Sequence, residues 1–277
     1  MFNPESVLKN LKTDGYALIE NFLEGNFQPV LQEFDRAFGL IPDKSHATLN
    51  DTQNLTLQPK EKVYNPGKHL NVQPGGYALF PTLLSHFANQ VFQNIVNEYC
   101  GPRSQFLYQI FMSHEYHTVP NQKDWSRLNW LHFDPYPSLK FLLYLTDTDE
   151  GNGATMVVPG SRAIGKYYRE KRLDINDNSG WQGGCKHRLE DWEETPQYTN
   201  ADAVPLCVKA GTLLLVDTDV LHCGALLHEE GRERKLILVH NRPEGLRMPD
   251  HEPPYDPVFV AHQYIAKAHS ILRSIHG

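Results

Sequence analysis

Three residues in this sequence have the types and the spacing of a metal-binding site. His132 and Asp134 form a His-x-Asp triplet in the segment LHFDP, and His222 follows in LLLVDTDVLH. Two imidazoles and one carboxylate can occupy one face of an octahedral iron(II) ion and leave the other face open for a cosubstrate and oxygen. The sequence therefore predicts an iron(II) centre at which O2 could react.

Two arginines follow the second histidine, in the segment GRERKLIL. A guanidinium can bind a carboxylate through two parallel hydrogen bonds, so either arginine could anchor a dicarboxylate such as 2-oxoglutarate. Arg232 and Arg234 are two positions apart on the predicted strand, so both side chains should point to the same face. Alternation therefore does not tell which of them is the anchor. Arg234 is the preferred anchor because it is the first residue of the apolar strand. Arg232 lies beside the turn at Gly231, where the alternative interpretation is a solvated turn residue.

The His-x-Asp spacing has a direct geometric meaning on a β-strand. Successive side chains alternate between faces, so His132 and Asp134 should point the same way and Phe133 the opposite way. His222 lies 88 positions after Asp134 and must come from a separate strand that faces the same cavity. The triplet alone is a weak signal in a chain with 14 histidines, where a lone His132 would more often be structural. The ordered set of three ligands and an arginine therefore carries the prediction.

Two further sets of potential metal ligands have simpler interpretations. Cys223 is adjacent to His222, but neighbours on a strand point to opposite faces, so packing is the preferred role of its thiol. His114, Glu115 and His117 could form a second cluster, although solvated side chains at a strand end are the preferred interpretation. The sequence thus predicts one metal centre.

The bulk composition is that of a packed globular protein. Of 277 residues, 40% are hydrophobic and 21% are charged. The net charge of -7 argues against general binding to nucleic acid or to an anionic membrane, so the expected partner is a small-molecule substrate. The oligomeric state is left open.

The cellular location is predicted from segments that the sequence lacks. It has no apolar run long enough for a membrane span and no N-terminal pattern of a secretory signal. The four cysteines show no CxxC spacing, which favours reduced thiols. We therefore expect a cytoplasmic protein.

The first part of the chain is interpreted as mainly helical. Apolar residues at helical spacing predict helices over about 4–12, 27–38 and 81–98. Residues 41–76 are polar and rich in Asn, Gln, Pro and Gly, which predicts an irregular loop near the substrate entrance.

The second part of the chain is interpreted as a β core. Short β-rich runs begin at residues 104, 138, 155, 205 and 234 and are separated by turn residues. This pattern is typical of a sandwich or barrel and not of a βαβ repeat. A polar insert at about 163–205 is expected to cover one mouth of the barrel. We interpret the chain as a single domain over 1–277, with a largely helical layer over 1–100 and a β core over 104–243.

Together these segments resemble the phytanoyl-CoA dioxygenase family of iron(II)/2-oxoglutarate-dependent oxygenases. The resemblance runs from DGYALIENFL to RKLILVHN, and its most specific pieces are LHFD, EGNGATMVVPGSR, and GTLLLVDTDVLHCGA followed by RERK. It implies a mainly β protein with flanking helices and a double-stranded β-helix (jelly-roll, cupin-like) core. It also implies iron(II) held by His132, Asp134 and His222, and 2-oxoglutarate whose far carboxylate is held by Arg234.

One segment departs from the family pattern. The usual Lys-Pro-Pro-Gly stretch before the metal segment is absent, and the longer, more polar SHEYHTVPNQKDWSRLN stands in its place. The secondary contacts to 2-oxoglutarate are therefore open. Asn129 and Tyr144 are candidates by position, and either could equally be an ordinary lining residue.

The activity implied is hydroxylation of an unactivated C–H bond of a small molecule, such as an amino acid or a secondary metabolite. O2 is consumed, and 2-oxoglutarate becomes succinate and carbon dioxide. Halogenating relatives lack a carboxylate at the position of Asp134, so its presence favours hydroxylation or a related oxidation. Desaturation, epoxidation and ring formation use the same cofactors and stay open. The alternative from another class is a non-redox metal protein on the same fold, either a hydrolase or isomerase or an inactive binder.

Overall fold

The computed structural model describes residues 2–43, 45–59, 67–116, 131–134, 137–172, 198–225, 227 and 230–242. Five helices lie within these residues: α1 (Pro4–Asp14), α2 (Phe27–Gly39), α3 (Pro81–Phe87), α4 (Gln90–Cys100) and α5 (Arg162–Arg172). The strands are β1 (Tyr16–Ile19), β2 (Ser45–Asp51), β3 (Leu55–Pro59), β4 (Gly67–Gly75), β5 (Gln105–Tyr116), β6 (Leu139–Tyr144), β7 (Thr155–Val157), β8 (Val204–Leu206), β9 (Leu213–Asp217), β10 (His222–Gly224) and β11 (Glu233–Arg242). Short 3-10 turns lie at Glu24–Asn26, Gly76–Leu79 and Asn200–Asp202.

Two sheets form the β core. The large sheet has the strand order β1-β9-β6-β11-β5-β4-β2-β3, and the small sheet has the order β10-β7-β8. Residues of β6, β9 and β11 line one cavity together with residues of β7 and β10, so the two sheets face each other across it. This is the mainly β fold with flanking helices that the sequence predicts.

Strand alternation divides the apolar residues of the large sheet between two layers. On β6, Phe141 and Leu143 belong to the cluster formed with the helices, which includes Phe92 of α4. Leu142 and Tyr144 belong instead to a second cluster, between the sheets. Because both faces of the strand are covered, its sequence is apolar almost throughout. The even-numbered residues of β6 therefore lie between the sheets, where Lys140 and Leu142 line the cavity.

The helical layer matches the predicted positions with one interruption. The segments 4–12 and 27–38 form α1 and α2, but the helix predicted over 81–98 is two helices. The second of them begins after Asn89, whose side chain accepts a hydrogen bond from the backbone N–H of Val91 and caps α4. None of the described helices is both long and apolar enough to cross a bilayer.

The prediction of an irregular loop over residues 41–76 is wrong. Strands β2, β3 and β4 lie there and extend the large sheet beyond β5. In β2, Ser45, Ala47 and Leu49 are buried, while the residues between them are half-buried and polar. A strand with one polar face lacks the apolar run that marked the strands of the second half. The first hundred residues therefore hold strands as well as helices.

The insert predicted over about 163–205 is described only at its two ends. It begins inside α5 and ends in a 3-10 turn followed by the start of β8. Residues 173–197 lie outside the described residues. The single-domain interpretation of the whole chain stays a prediction.

Gly15 connects the helical layer to the loop that precedes His222. It ends α1 with φ 82°, in the left-handed region that favours glycine. Its carbonyl accepts a hydrogen bond of 2.8 Å from the backbone N–H of Asp217. A Cβ at this position would lie 1.9 Å from Cγ2 of Val220, which is two residues before His222.

We predict that Gly15→Ala lowers the free energy of unfolding by about 2–4 kcal/mol, through left-handed strain and the clash with Val220. Urea denaturation followed by circular dichroism measures the change. Gly39→Ala is the matched control, because Gly39 also lies at the end of a helix and an added Cβ there meets no atom within 4 Å. Its unfolding free energy should stay the same or rise by up to about 1 kcal/mol. Equal effects of the two substitutions would contradict the packing described for Gly15.

Candidate metal centre and its cavity

Two histidines far apart in the sequence are joined by paired backbone hydrogen bonds. The N–H of His132 donates to the carbonyl of His222 at 3.0 Å, and the N–H of His222 donates back to the carbonyl of His132 at 2.9 Å. Within residues 131–134, which the structure describes, His132 forms an isolated bridge with His222. The N–H of Asp134 donates to the carbonyl of Thr218 at 2.9 Å, so the segment runs along the loop between β9 and β10.

The three predicted ligands converge. Oδ1 of Asp134 lies 3.6 Å from Nε2 of His222 and 4.0 Å from Nε2 of His132. One potential ligand atom from each residue lies within 4.8 Å of the others, and the group could hold a metal ion. Phe133, between two of the ligands, is buried in a different, apolar cluster that also contains Cys223. Alternation thus directs Phe133 away from the ligand group, and the Cys223 side chain packs in the same apolar cluster.

The tautomer of His222 is set by its backbone. Nδ1 lies 2.7 Å from the carbonyl oxygen of Val220, which can only accept a hydrogen bond. Nδ1 therefore carries the proton, and Nε2 keeps a lone pair directed at the ligand group. An imidazole in this form can bind a metal without first losing a proton.

Lys140 is a charged residue of the site that the sequence analysis passed over. Its Nζ lies 2.6 Å from Oδ2 of Asp134 and 3.3 Å from Nε2 of His222. The donor set therefore already accommodates a cation, which is evidence that it fits a metal ion. The available signal was Lys140 itself, the one charged residue in the apolar run LKFLLYL.

Asp134 is ionised in spite of its burial. Burial alone would raise the pKa of this carboxyl, but Lys140, then His222 and His132, hold the pKa well below its usual value. The group can therefore act as an anionic ligand throughout the neutral pH range.

Arg234 lies on β11 and is buried in an ion pair that was not predicted. Its guanidinium donates through Nη2 to the carboxylate of Glu115 and through Nη1 to the carbonyl of Gly153. Its Nε has no hydrogen-bond partner among the described residues. Burial would raise the pKa of Glu115, but Arg234 and His69 lower it, so the pair is ionised. The interpretation of Glu115 as solvated at a strand end is therefore wrong, and His117 lies outside the described residues.

Two members of the ligand group, His132 and His222, open with Arg234 on the same cavity, of about 420 Å³. Its lining includes His132, His222, Lys140, Glu115 and Arg234. A dicarboxylate in this cavity could reach both a metal and a guanidinium.

The other residues considered as contacts to 2-oxoglutarate are Tyr144, Arg232 and Asn129. Tyr144 is fully buried between the sheets, where its hydroxyl forms a hydrogen bond with Thr155, a residue of the cavity wall. Burial raises the pKa of Tyr144, which keeps the hydroxyl protonated. Arg232 is partly exposed and pairs with Asp149. Asn129 lies outside the described residues.

Comparisons with known proteins agree with this architecture. A family model described as phytanoyl-CoA dioxygenase (PhyH) matches residues 11–226. Three similar solved structures are EvdO2 from Micromonospora carbonacea var. aurantiaca (15% identity, TM-score 0.54, 91% of this chain and 96% of that chain), the alpha ketoglutarate dependent epimerase SnoN from nogalamycin biosynthesis (11%, 0.53, 92% and 93%), and HygX from Streptomyces hygroscopicus with nickel and 2-oxoglutarate bound (15%, 0.52, 88% and 88%). At these identities the likeness concerns the fold, and the predicted jelly-roll core is confirmed. A comparison with curated protein sequences gave no significant match.

We predict that Glu115→Gln lowers the free energy of unfolding by about 3–5 kcal/mol, because it leaves the buried guanidinium of Arg234 without a carboxylate. Chemical denaturation at neutral pH measures the loss. Asp149→Asn, which breaks the more exposed pair with Arg232, is the matched control and should cost less than about 1 kcal/mol. A loss at Glu115 no larger than the loss at Asp149 would show that Arg234 does not depend on its buried partner.

Proposed function

Since the chain belongs to the phytanoyl-CoA dioxygenase family, we propose that it is an iron(II)- and 2-oxoglutarate-dependent dioxygenase that hydroxylates an unactivated C–H bond of a small molecule. In the overall reaction, R–H, O2 and 2-oxoglutarate give R–OH, succinate and carbon dioxide. The observation that carries this proposal is the opening of His132, His222 and Arg234 on one cavity, with Asp134 beside the two histidines.

His132, Asp134 and His222 would hold the iron. Iron(II) bound there would supply the activation of O2, with 2-oxoglutarate as co-reductant. The protein contributes an ionised carboxylate, a histidine in the metal-binding tautomer and the apolar walls of the cavity. These walls include Leu142, Val216, Leu236 and Leu238, which limit the access of water to the reacting atoms.

Arg234 is the proposed anchor of the far carboxylate of 2-oxoglutarate. Glu115 and the carbonyl of Gly153 hold its guanidinium in place, and its buried Nε–H has no hydrogen-bond partner among the described residues. Gly153 and Gly224 lie against the guanidinium, where a Cβ would come within 3.0 Å and 3.6 Å of Nη1, respectively. Small residues at these positions leave a carboxylate room to approach the arginine.

The charges around the cavity support a divalent metal combined with a dianion. Asp134 pairs with Lys140, and Glu115 pairs with Arg234, so these four groups sum to zero. A divalent metal and doubly charged 2-oxoglutarate would together keep the buried site neutral, which avoids the cost of burying a net charge. A singly charged cosubstrate would leave the site with an excess positive charge.

The secondary contacts remain proposals. Tyr144 would support the cosubstrate pocket through Thr155, because its hydroxyl bonds to that side chain behind the cavity wall. Asn129 is proposed on position alone.

A small-molecule substrate is favoured by the size of the cavity and by the similar proteins. Its volume of about 420 Å³ suits a small organic molecule. SnoN has been solved with Fe3+, alpha ketoglutarate and nogalamycin RO, and HygX with nickel, 2-oxoglutarate and hygromycin B. The proposal includes neither a nucleic acid nor a membrane as partner. A cytoplasmic location is part of it, supported by the free thiols of Cys100, Cys207 and Cys223.

A second outcome on the same cofactors is specifically suggested by SnoN, which is described as an epimerase. Epimerisation, like desaturation, epoxidation or ring formation, would begin with the same cofactors in the same cavity, so product analysis must decide among these reactions. A non-redox hydrolase or isomerase is disfavoured, because it has no use for a buried anchor for a dicarboxylate.

We predict that the protein with iron(II), ascorbate and O2 forms succinate from 2-oxoglutarate, and that Asp134→Ala abolishes this by removing a metal ligand. Arg234→Gln should raise the 2-oxoglutarate concentration for half-maximal turnover by about tenfold or more, since one charge-assisted anchor is lost. Arg232→Gln, which removes an arginine of the same segment outside the cavity, should leave that concentration unchanged. Succinate is quantified by chromatography, and thermal unfolding shows whether each variant is folded.

Direct binding measurements make the result decisive, because a missing substrate can slow turnover. A folded wild-type protein that binds neither iron(II) nor 2-oxoglutarate would overturn the proposal and favour the non-redox alternative. If Arg232→Gln raised the half-maximal 2-oxoglutarate concentration more than Arg234→Gln did, Arg232 and not Arg234 would be the anchor.

A further inference from the structure

Lys140 brings a positive charge to the metal centre, next to the candidate ligands themselves. It lies on β6 with Leu142 and Tyr144 on the face that borders the cavity. Across the strands its register partners are Val216 on β9 and His240 on β11. Burial, followed by the charge of Lys140, lowers the pKa of His240 to about 4, so His240 is neutral and adds no second cation. Lys140 is therefore the cation that these three strands bring to Asp134.

The two oxygens of Asp134 have different partners. Oδ2 is bonded to Nζ of Lys140 at 2.6 Å, while Oδ1 faces Nε2 of His222 at 3.6 Å and Nε2 of His132 at 4.0 Å. A carboxylate held in this way offers one oxygen to a metal at the histidines and keeps the other for the ammonium. The coordination position that a two-oxygen carboxylate would occupy stays open for other ligands.

Lys140 also reaches a second ligand. Its Nζ lies 3.3 Å from Nε2 of His222, and the proton on Nδ1 leaves that imidazole a single lone pair, on Nε2. One lone pair cannot serve an ammonium and a metal at the same time. A metal that binds His222 must therefore displace Lys140 from it, while the bond from Lys140 to Oδ2 of Asp134 can persist.

We propose that Lys140 is a positioning residue that limits the metal affinity of the centre, because its ammonium competes with the metal for His222 and directs one oxygen of Asp134 to the metal. The inference rests on the proposed function, since it requires His132, Asp134 and His222 to be the metal ligands. The repulsion between two cations in a buried site acts in the same direction as this competition. Lys140 thus weakens metal binding and at the same time holds the carboxylate of Asp134 in one orientation.

The test is Ni2+ binding to protein freed of metal with a chelator, measured by calorimetry for the wild type and for Lys140→Met. The variant keeps a side chain of similar length without the charge, and its Kd for Ni2+ should fall by about tenfold or more. Thermal unfolding with and without saturating Ni2+ provides the second readout. Without metal, the Tm of the variant should be lower than that of the wild type because Asp134 loses its cation, and the gain in Tm on adding Ni2+ should be larger.

Lys209→Met is the matched control, because it removes the lysine of an exposed ion pair with Asp147. Its Kd for Ni2+ and its gain in Tm should equal those of the wild type. A purely structural role of Lys140 would instead lower the Tm equally with and without metal and leave the Kd unchanged. If Lys140→Met does not fold, Lys140→Gln replaces it, since the amide can still donate to Oδ2 without carrying a charge, and the same decrease in Kd is expected.

Two failures can be told apart. Equal or weaker Ni2+ binding by the Lys140 variant, with measurable binding by the wild type, overturns the role of Lys140 and leaves the proposed function standing. If neither protein binds Ni2+ or iron(II), both the proposed metal centre and the inference about Lys140 are refuted.

Discussion

The site depends on one pair of backbone hydrogen bonds, the reciprocal bridge between His132 and His222. Strands β6 to β9 separate their two segments in sequence, and this bridge and the bond from Asp134 to Thr218 hold the segments side by side. Because the bonds are made by the main chain, they orient both imidazoles without depending on the identity of the side chains.

Around that bridge, the buried charges of the cavity are arranged in two pairs. Asp134 faces Lys140, which follows it closely in sequence, and Glu115 faces Arg234 from a strand distant in sequence. A buried charge without a partner is costly, so each ligand or anchor is accompanied by a counter-charge from the large sheet. The consequence is a site that is neutral by itself, so that a divalent cation leaves it positively charged unless negative charge accompanies the cation.

The large sheet also supplies a wall that the jelly-roll strands alone would not provide. Strands β2 and β4 bring His46 and His69 to the cavity beside Phe111 of β5. Asn71 donates to His46 and accepts from Gln109, so this wall is a connected polar surface. It lines the same cavity as His222 of the small sheet.

The sequence by itself was enough to predict the convergence of the three candidate ligands, the choice of Arg234 as the cavity arginine and the β character of the second half. These follow from residue type, from spacing and from the alternation of neighbours on a strand, which are local properties. Only the tertiary structure decided the partners Glu115 and Lys140. Glu115 reaches Arg234 from a strand far away in sequence, and the contact of Lys140 with Asp134 depends on how the chain turns between them. The tertiary structure also decided that residues 41–76 form strands, because their polar residues line a cavity and so hide the apolar periodicity by which a strand is recognised.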